Sequence, residues 1–186
     1  MTDSATRPGL DGLVKAAGQA PGRGLPPVHL WNPAYRGEID IVIRRDGSWW
    51  HEGAPIARAA LVRLFSTILR RDPDGYWLVT PVEMLKIHVE DAPFLAGQME
   101  AASGAFSFTT NVGDVVEAGP DHPIRVETTA DGEPRPYVHV RGGLEALITR
   151  PVFYELVEMA ETRGDTLGVV SKGAWFPLGQ AEEAPP

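Results

Sequence analysis

The strongest constraint on the fold of this chain is a hairpin–helix–strand pattern that occurs twice. In its first copy, residues 39–43 alternate isoleucine with other residues, which is the period of a half-buried β-strand. Asp46-Gly47 then marks a tight hairpin turn, and the return strand follows at 48–51. Apolar residues at helical spacing predict a helix over about 57–70, and residues 76–80 predict another strand.

The second copy repeats this order in the C-terminal half of the chain. Residues 124–129 alternate in the same way, and Asp131-Gly132 marks the turn. A return strand is predicted over 137–141, and a helix over about 151–162 with a proline in its first turn. Residues 166–170 predict the strand that follows this helix.

Three landmarks recur at nearly constant separation, which favours a duplication over a chance recurrence of a common unit. The offsets are 85, 88 and 89 residues for the pairs Asp46 and Asp131, Phe65 and Phe153, Gly75 and Gly164. Further strands are predicted over 83–89, 94–100, 105–110 and 112–116. The predicted fold class is α+β, with duplicated hairpin–helix–strand units forming two small antiparallel-sheet domains.

The pattern also predicts how the chain is divided. A short helix over Leu10 to Gln19 is followed by a Pro/Gly-rich linker. The predicted segments are an N-terminal helix and linker over 1–36, a first α+β repeat over 37–95, a second, β-rich repeat over 96–180 and a disordered tail over 181–186.

Composition excludes several classes of protein. The chain has 20 Gly and 17 Pro, which favours turns and short strands over a helical bundle. It has no cysteine, which excludes disulfides, Cys nucleophiles and Cys-based metal sites. Its net charge of −8 argues against a nucleic-acid partner. It has no apolar run of membrane-spanning length and no signal-peptide pattern, so we expect a cytoplasmic protein without a membrane partner.

Motifs that identify the common enzyme classes are absent from the sequence. It contains no Gly-x-x-x-x-Gly-Lys-Ser/Thr phosphate loop, no Gly-x-Ser-x-Gly nucleophile turn and no His-Glu-x-x-His zinc motif. Gly22-Arg-Gly24 has no strand–helix context for a dinucleotide site. The sequence therefore predicts no catalytic residue and no cofactor.

The strand over 137–141 is the first candidate for a binding site. Val138 and Val140 are expected to face the core. The opposite face then carries an aromatic ring, an imidazole and a guanidinium, from Tyr137, His139 and Arg141. With Gly142 and Gly143 as an anion-binding backbone turn, these groups suit a phosphate or carboxylate on a planar body. An ordinary solvated sheet face is the alternative.

The pair Trp49-Trp50 is the second candidate. Successive strand residues point to opposite faces, so one ring should be buried and the other exposed or at an interface. An exposed Trp50 suits stacking on a ligand or partner, with His51 beside it. Burial of both rings is the alternative.

Two groups of residues are weaker candidates for a metal. His88 and Glu90 share one strand face, and a Gly/Pro-rich loop carries Asp114, Glu117, Asp121 and His122. Carboxylates suit magnesium or calcium, but turn chemistry accounts for the same residues. No metal site is predicted.

The order of these segments resembles a known family. The sequence resembles the proteobacterial domain-of-unknown-function family 1285 over about residues 37–178. The segments that carry the resemblance are 39–43, 46–49, 53–56, 61–65, 76–83, 89–94 and 137–145. The resemblance implies a duplicated core, a C-terminal half loosely like a pleckstrin-homology fold, a signalling role and a nucleotide-like ligand at the domain interface. It assigns no catalytic residue.

We therefore expect a non-enzymatic ligand-binding or signalling module. Its ligand would be a small anion, such as a nucleotide, held between the repeats by residues of the 137–143 segment together with Trp50 and His51. A protein partner is also compatible with the sequence, and the oligomeric state stays open. The alternatives are a metal-dependent hydrolase that uses the His, Asp and Glu groups, and a protein-interaction scaffold.

Overall fold

The structure is a computed structural model, and it describes residues 9–19 and 24–181. The chain forms two compact units, an N-terminal unit that ends at Asp91 and a C-terminal unit that begins at Ala92. The described ranges leave out residues 1–8, residues 20–23 of the predicted linker and residues 182–186 of the predicted disordered tail. In those ranges, no helix has both the length and the apolar character that a membrane crossing requires.

The described part of the N-terminal unit contains two α-helices, a 3-10 turn and one six-stranded sheet. The helices are α1, Leu10–Gly18, and α2, Ala59–Thr67, and the 3-10 turn is Val28–Leu30. The strands are β1, Tyr35–Ile43; β2, Trp49–His51; β3, Ala54–Pro55; β4, Leu69–Asp72; β5, Gly75–Val79; and β6, Glu83–Val89.

The sheet of this unit has the order β3-β2-β1-β6-β5-β4 and is antiparallel except at its centre. There β1 and β6 run parallel, with Tyr35 opposite Glu83 and Ile43 opposite Val89. This parallel pair is not predicted by the sequence. Two strands that are far apart in the sequence are joined by no turn motif, so their pairing leaves no local signal.

Isoleucines and aromatic rings form the main core of the N-terminal unit. Ile41 and Ile43 of β1 are buried, as their alternation predicts. Phe65 of α2 is fully buried and stacks on Trp49 of β2, with 6.4 Å between the ring centroids. Leu13 of α1 is fully buried as well.

A smaller apolar cluster binds the 3-10 turn to the sheet. Val28 and Trp31 pack against buried Trp77, Val79 and Met84. The Arg70 side chain donates hydrogen bonds to the carbonyls of Val28, at 3.0 Å, and Trp31, at 2.8 Å.

The described part of the C-terminal unit contains one α-helix and nine strands. The first six strands are β7, Phe94–Ala102; β8, Ala105–Thr110; β9, Val115–Glu117; β10, Ile124–Thr128; β11, Pro134–Arg141; and β12, Leu144–Ile148. Helix α3, Arg150–Glu158, is followed by β13, Glu161–Arg163; β14, Thr166–Ser171; and β15, Ala174–Gln180.

Two sheets organise this unit. One has the order β10-β11-β12-β7-β8-β9, and the other has the order β13-β14-β15. The six-stranded sheet again contains a parallel pair at its centre, between β12 and β7. Buried Ser171 links β8 and β14 to the loop after β9, because its hydroxyl accepts from the Phe106 N–H at 2.9 Å and donates to the Ala118 carbonyl at 2.7 Å.

Both units contain three strands, a helix and three strands in that order, which confirms the predicted duplication. Helix α3 begins 91 residues after α2 and has the same length of 9 residues. Strand β15 begins 91 residues after β6, and both have 7 residues. At this offset Phe65 corresponds to Leu156 rather than to Phe153, and both are fully buried.

The two main helices end earlier than the sequence predicts. The predicted helix over 57–70 ends at Thr67, because Leu69–Asp72 pairs with β5 as an antiparallel hairpin. The predicted helix over 151–162 ends at Glu158, because Glu161–Arg163 pairs with β14. In both places strand pairing overrides helix propensity, which is a weak preference.

The helical spacing predicts seven core residues, which the structure divides into two groups: Leu61, Leu64, Phe65, Ile68, Phe153, Leu156 and Val157. Phe65, Ile68, Phe153 and Leu156 are buried, as expected. Leu61, Leu64 and Val157 are half-buried and lie at the borders of the apolar faces.

A glycine in β14 provides a direct test of packing in the C-terminal unit. A Cβ at Gly168 would lie 2.5 Å from the Trp175 ring and 2.6 Å from the Phe176 carbonyl oxygen. We expect Gly168→Ala to lower the free energy of unfolding by about 1–3 kcal/mol through overpacking. Gly97→Ala is the matched control, because a Cβ there meets no atom within 4 Å.

Urea denaturation of both variants measures the difference. Gly97→Ala should stay within about 0.5 kcal/mol of the parent chain. Equal effects of the two substitutions would contradict the close contact between Gly168 and Trp175.

Candidate functional site

A cleft of about 940 Å³ lies against strands β1, β2 and β6 of the N-terminal unit. Its volume falls in the range of small-molecule sites in proteins, ~300–1,000 Å³. The ionisable residues that line it are Glu38, Asp40, His51, Glu52, Lys86 and His88. The lining therefore combines three carboxylic acids with one lysine and two imidazoles.

An irregularity in β1 forms one wall of this cleft. Glu38 lies opposite Lys86, but Val42 lies opposite His88, so four steps along β1 match two steps along β6. Such a bulge bends a strand and redirects its side chains. Here Asp40 is exposed, and its backbone carbonyl accepts a hydrogen bond from the Glu52 N–H at 3.1 Å.

Lys86 belongs to a cluster of charges around the Trp77 ring. The guanidinium of Arg36 lies 4.7 Å from the ring centroid, and the Lys86 ammonium lies 5.5 Å from it. The indole N–H donates to Asp74 at 3.1 Å, and this bond holds the pKa of Asp74 below its ordinary value. The lysine is thus half-buried and oriented beside an aromatic ring while it lines the cleft.

The two histidines of the cleft have rings that the fold does not use. His51 is half-buried and His88 is exposed, and neither ring forms a hydrogen bond to a residue that the structure describes. His51 was predicted as a ligand-binding residue, whereas His88 was considered only for a metal. Both rings are available to a ligand in the cleft.

The other predicted ligand-binding histidine, His139, is bound within the C-terminal unit. Its Nε2 accepts a hydrogen bond from the Gly143 N–H at 3.1 Å. Its Nδ1 is 3.1 Å from the Asp121 carbonyl oxygen, and His122 Nδ1 is 3.1 Å from the His139 carbonyl oxygen. Because the Gly143 amide only donates, Nε2 must carry no proton, and Nδ1–H must be the donor to Asp121.

The remaining predicted groups of this strand also have partners. Val138 and Val140 are buried, as predicted, but Tyr137 is buried too, with the Arg125 guanidinium 4.4 Å from its ring. Two nitrogens of Arg125 donate to the Glu145 carboxylate at 2.7 Å, and this pair raises the pKa of the guanidinium above its ordinary value.

Arg141 and the glycines after it make structural contacts. The Arg141 guanidinium donates to Asp114 at 2.6 Å and lies 5.2 Å from the Phe94 ring centroid. Gly142 and Gly143 both have positive φ, which the two-residue turn between β11 and β12 requires. The predicted anion-binding groups lie together in one hairpin, and Trp50 and His51 lie in the other unit.

The two tryptophans of β2 point to opposite faces, as predicted. Trp49 is buried, and Trp50 is half-buried. The Arg44 guanidinium lies 3.5 Å from the Trp50 ring centroid, and the indole N–H donates to the Ser48 hydroxyl at 2.8 Å.

The residues considered for a metal do not converge. Glu90 accepts a hydrogen bond from the Arg45 N–H at 3.0 Å, Asp114 is paired with Arg141, and Glu117 is paired with Lys172 at 2.9 Å. Over residues 9–19 and 24–181, no group of three His, Asp or Glu side chains is arranged to hold a metal ion.

Two family models together cover most of the chain. The model of the DUF1285 N-terminal domain, a domain of unknown function, matches residues 26–92. The model of the C-terminal domain of DUF1285, a protein of unknown function, matches residues 93–178. The chain belongs to the DUF1285 family. The resemblance noted in the sequence is therefore confirmed.

Solved structures of DUF1285 proteins have the same fold. A crystal structure of a family protein from Silicibacter pomeroyi DSS-3 is 50% identical, with a TM-score of 0.84 over 92% of this chain and 96% of that chain. Another, from Shewanella baltica OS155, is 28% identical, with a TM-score of 0.52 over 63% of this chain and 90% of that chain. No curated protein matches the chain.

Four ionisable residues that line the cleft were not predicted from the sequence. Glu38 and Asp40 alternate with buried isoleucines, which is also the pattern of a solvated strand face. Glu52 lies in a tight turn, where φ is 49°. Lys86 faces Glu38 only because β6 pairs with β1, so a parallel pairing of these strands was the signal that was needed.

The hydrogen bonds of His139 predict its tautomer. We expect the neutral ring to be protonated on Nδ1, and the ring of His122 likewise, because each Nδ1 faces a carbonyl oxygen. Long-range ¹H–¹⁵N spectra at pH 8 distinguish the two tautomers. The control is His51, whose ring has no hydrogen-bond partner among the described residues. An Nε2–H tautomer at His139 would contradict the bond from Gly143.

Proposed function

We propose that this DUF1285 protein is a non-enzymatic ligand-binding module and that its ligand occupies the cleft along β1, β2 and β6. The observation that carries this proposal is the state of its histidines. His122 and His139 are held by hydrogen bonds within the C-terminal unit, whereas the His51 and His88 rings line one cleft without a partner among the described residues. Ring nitrogens that the fold does not use are available for recognition.

The chemistry of the lining favours a nucleotide-like ligand. Glu38, Asp40 and Glu52 offer acceptors for ribose hydroxyls and for the amino groups of a base. Lys86 and the two imidazoles offer donors for a phosphate. Because three acidic residues accompany a single lysine, the cleft suits a ligand with one phosphate better than a triphosphate.

Two alternative functions have less support. A metal-dependent hydrolase would use converging ligands, and in the described ranges the candidate carboxylates bond instead to Arg45, Arg141 and Lys172. A protein-interaction scaffold would use exposed aromatics, and the aromatic residue that the sequence singled out for this role, Trp50, is half-buried beneath Arg44.

Three further expectations accompany this proposal. The family resemblance implies a signalling role, and in this proposal the signal is the binding of the nucleotide-like ligand. The pleckstrin-homology likeness of the C-terminal unit and the cytoplasmic location both stay predictions from the sequence.

A thermal-shift series tests the ligand class directly. Nucleosides, nucleoside monophosphates and nucleoside triphosphates are compared at equal concentration with the full chain. We expect the monophosphates to stabilise the protein most, by ~2.7 kcal/mol at a hundredfold excess over the dissociation constant. A triphosphate that binds more tightly than its monophosphate would contradict the charge argument.

Substitutions locate the site. We expect Lys86→Met, which keeps the apolar stem beside Trp77, to weaken a bound monophosphate about tenfold in calorimetry, as the loss of one charge-assisted hydrogen bond requires. His51→Ala and His88→Ala should each weaken it as well. His29→Ala is the control, because His29 is exposed in the 3-10 turn and does not line the cleft.

The same measurement distinguishes this cleft from the site predicted in the sequence. Affinity that is unchanged in Lys86→Met and both histidine variants would place the ligand elsewhere. A loss confined to Arg141→Lys and His139→Ala would place it at the β11–β12 hairpin.

A further inference from the structure

An exposed arginine, Arg44, lies on the ring of Trp50 in the N-terminal unit. Its guanidinium is 3.5 Å from the ring centroid, and Trp50 is half-buried beneath it. A guanidinium that stacks on a ring uses its flat face, so the N–H donors at its edge stay accessible. The Arg44 side chain forms no hydrogen bond and no ion pair with a residue that the structure describes. Its donors are therefore available to a ligand.

A chain of hydrogen bonds fixes the ring on which Arg44 lies. The Trp50 indole N–H donates to the Ser48 hydroxyl at 2.8 Å, and that hydroxyl donates to the Asp46 carboxylate. The backbone of Arg44 is held as well, because its N–H donates to the Ser48 carbonyl at 2.9 Å. A guanidinium that is already held in place loses less conformational entropy when it binds a ligand, which favours recognition at this position.

His88 and Arg44 lie on the same face of the sheet. Val42 of β1 is paired with Trp50 on one side and with His88 on the other, and side chains paired across neighbouring strands share a face. Arg44 follows Val42 by two residues and covers Trp50, so it belongs to this face too. Because Val42 and His88 line the cleft, Arg44 lies at its end.

Two carboxylates near Arg44 already have partners of their own. Asp46 accepts hydrogen bonds from the Ser48 hydroxyl and N–H, and these bonds, more than the charge of Arg44, hold the pKa of Asp46 below its ordinary value. Glu90 accepts a hydrogen bond from the Arg45 N–H at 3.0 Å. The positive charge of Arg44 is thus not neutralised by an ion pair within the described residues, and such a charge attracts small anions.

We propose that Arg44 and His88 together bind a phosphate group above Val42, at the end of the cleft. The forked donors of Arg44 match two phosphate oxygens, and the His88 imidazole supplies a further donor. Trp50 is a positioning residue, because it acts through Arg44. Lys86 precedes His88 by two residues on the same strand and adds positive charge on its other side. The assignment of this phosphate to a nucleotide-like ligand rests on the proposed function, whereas the pair of Arg44 and His88 does not.

Titrations of the full chain at low ionic strength, followed by ¹H–¹⁵N spectra, test this inference with ribose 5-phosphate and inorganic phosphate as probes. We expect both probes to shift the backbone amides of Val42, Arg44 and His88. Tighter binding of ribose 5-phosphate identifies a sugar phosphate as the source, in agreement with the proposed function. Equal or weaker binding of ribose 5-phosphate identifies a free phosphate ion, which would contradict the nucleotide-like ligand and support the phosphate site alone.

Charge variants separate a specific site from general attraction. Arg44→Gln should weaken both probes about tenfold, as the loss of one charge-assisted hydrogen bond requires. Arg45→Gln is the matched control, because Arg45 is the neighbouring exposed arginine and its loss changes the net charge equally. Asp46→Asn should strengthen both probes, since it removes a negative charge near Arg44 and asparagine suits the same turn. A folding defect does not mimic this gain of affinity.

Variants of Trp50 test its positioning role. Trp50→Leu should weaken both probes, because the guanidinium loses the ring beneath it, and Trp50→Phe should restore most of the affinity. Equal affinities in Arg44→Gln and Arg45→Gln would overturn the inference, as would shifts confined to amides far from Val42. Binding of ribose 5-phosphate that is lost in Lys86→Met but kept in Arg44→Gln would support the proposed function and reject this inference.

Discussion

The parallel pairing of β1 with β6 is the interaction on which the N-terminal unit depends. It joins the β1–β2–β3 segment to the β6–β5–β4 segment and so makes one sheet from two hairpin systems. It also determines the cleft, because the shift from Glu38 opposite Lys86 to Val42 opposite His88 opens the wall that Asp40 occupies. Without the shift in register, β1 would have no bulge and its side chains would not be redirected at this point.

The C-terminal unit lacks the equivalent strand pairing, and its strands form two sheets instead of one. The last seven elements of the C-terminal unit, from β10 to β15, have the same order of strands and helix, yet β15 does not pair with β10 as β6 pairs with β1. Pro177 occupies the position in β15 that Lys86 occupies in β6, and a proline supplies no N–H to a neighbouring strand. The parallel contact of this unit forms instead between β12 and β7, and β15 completes a separate small sheet.

Local structure was largely predictable from the sequence, and long-range pairing was not. The turns at Asp46-Gly47 and Asp131-Gly132 and the buried faces of α2 and α3 follow from spacing alone. The helix ends at Thr67 and Glu158 were missed, because the following residues pair with strands. His51 was the only ionisable residue of the cleft predicted to contact the ligand, since Lys86 and His88 lie beside β1 only through the pairing of β1 with β6.

Charge pairing explains why the site predicted on strand β11 and the candidate cleft differ. The guanidinium and imidazole groups of the β11–β12 hairpin bond to groups of their own unit, as Arg141 with the Asp114 carboxylate and His139 with the Asp121 carbonyl show. A side chain in such a pair binds a ligand only after the pair is broken, which costs free energy that the ligand must supply. Recognition is therefore favoured where the fold leaves charge unbalanced. The cleft is such a place, since three carboxylates accompany Lys86 and the two imidazoles, and this balance limits the phosphate charge that the cleft can hold.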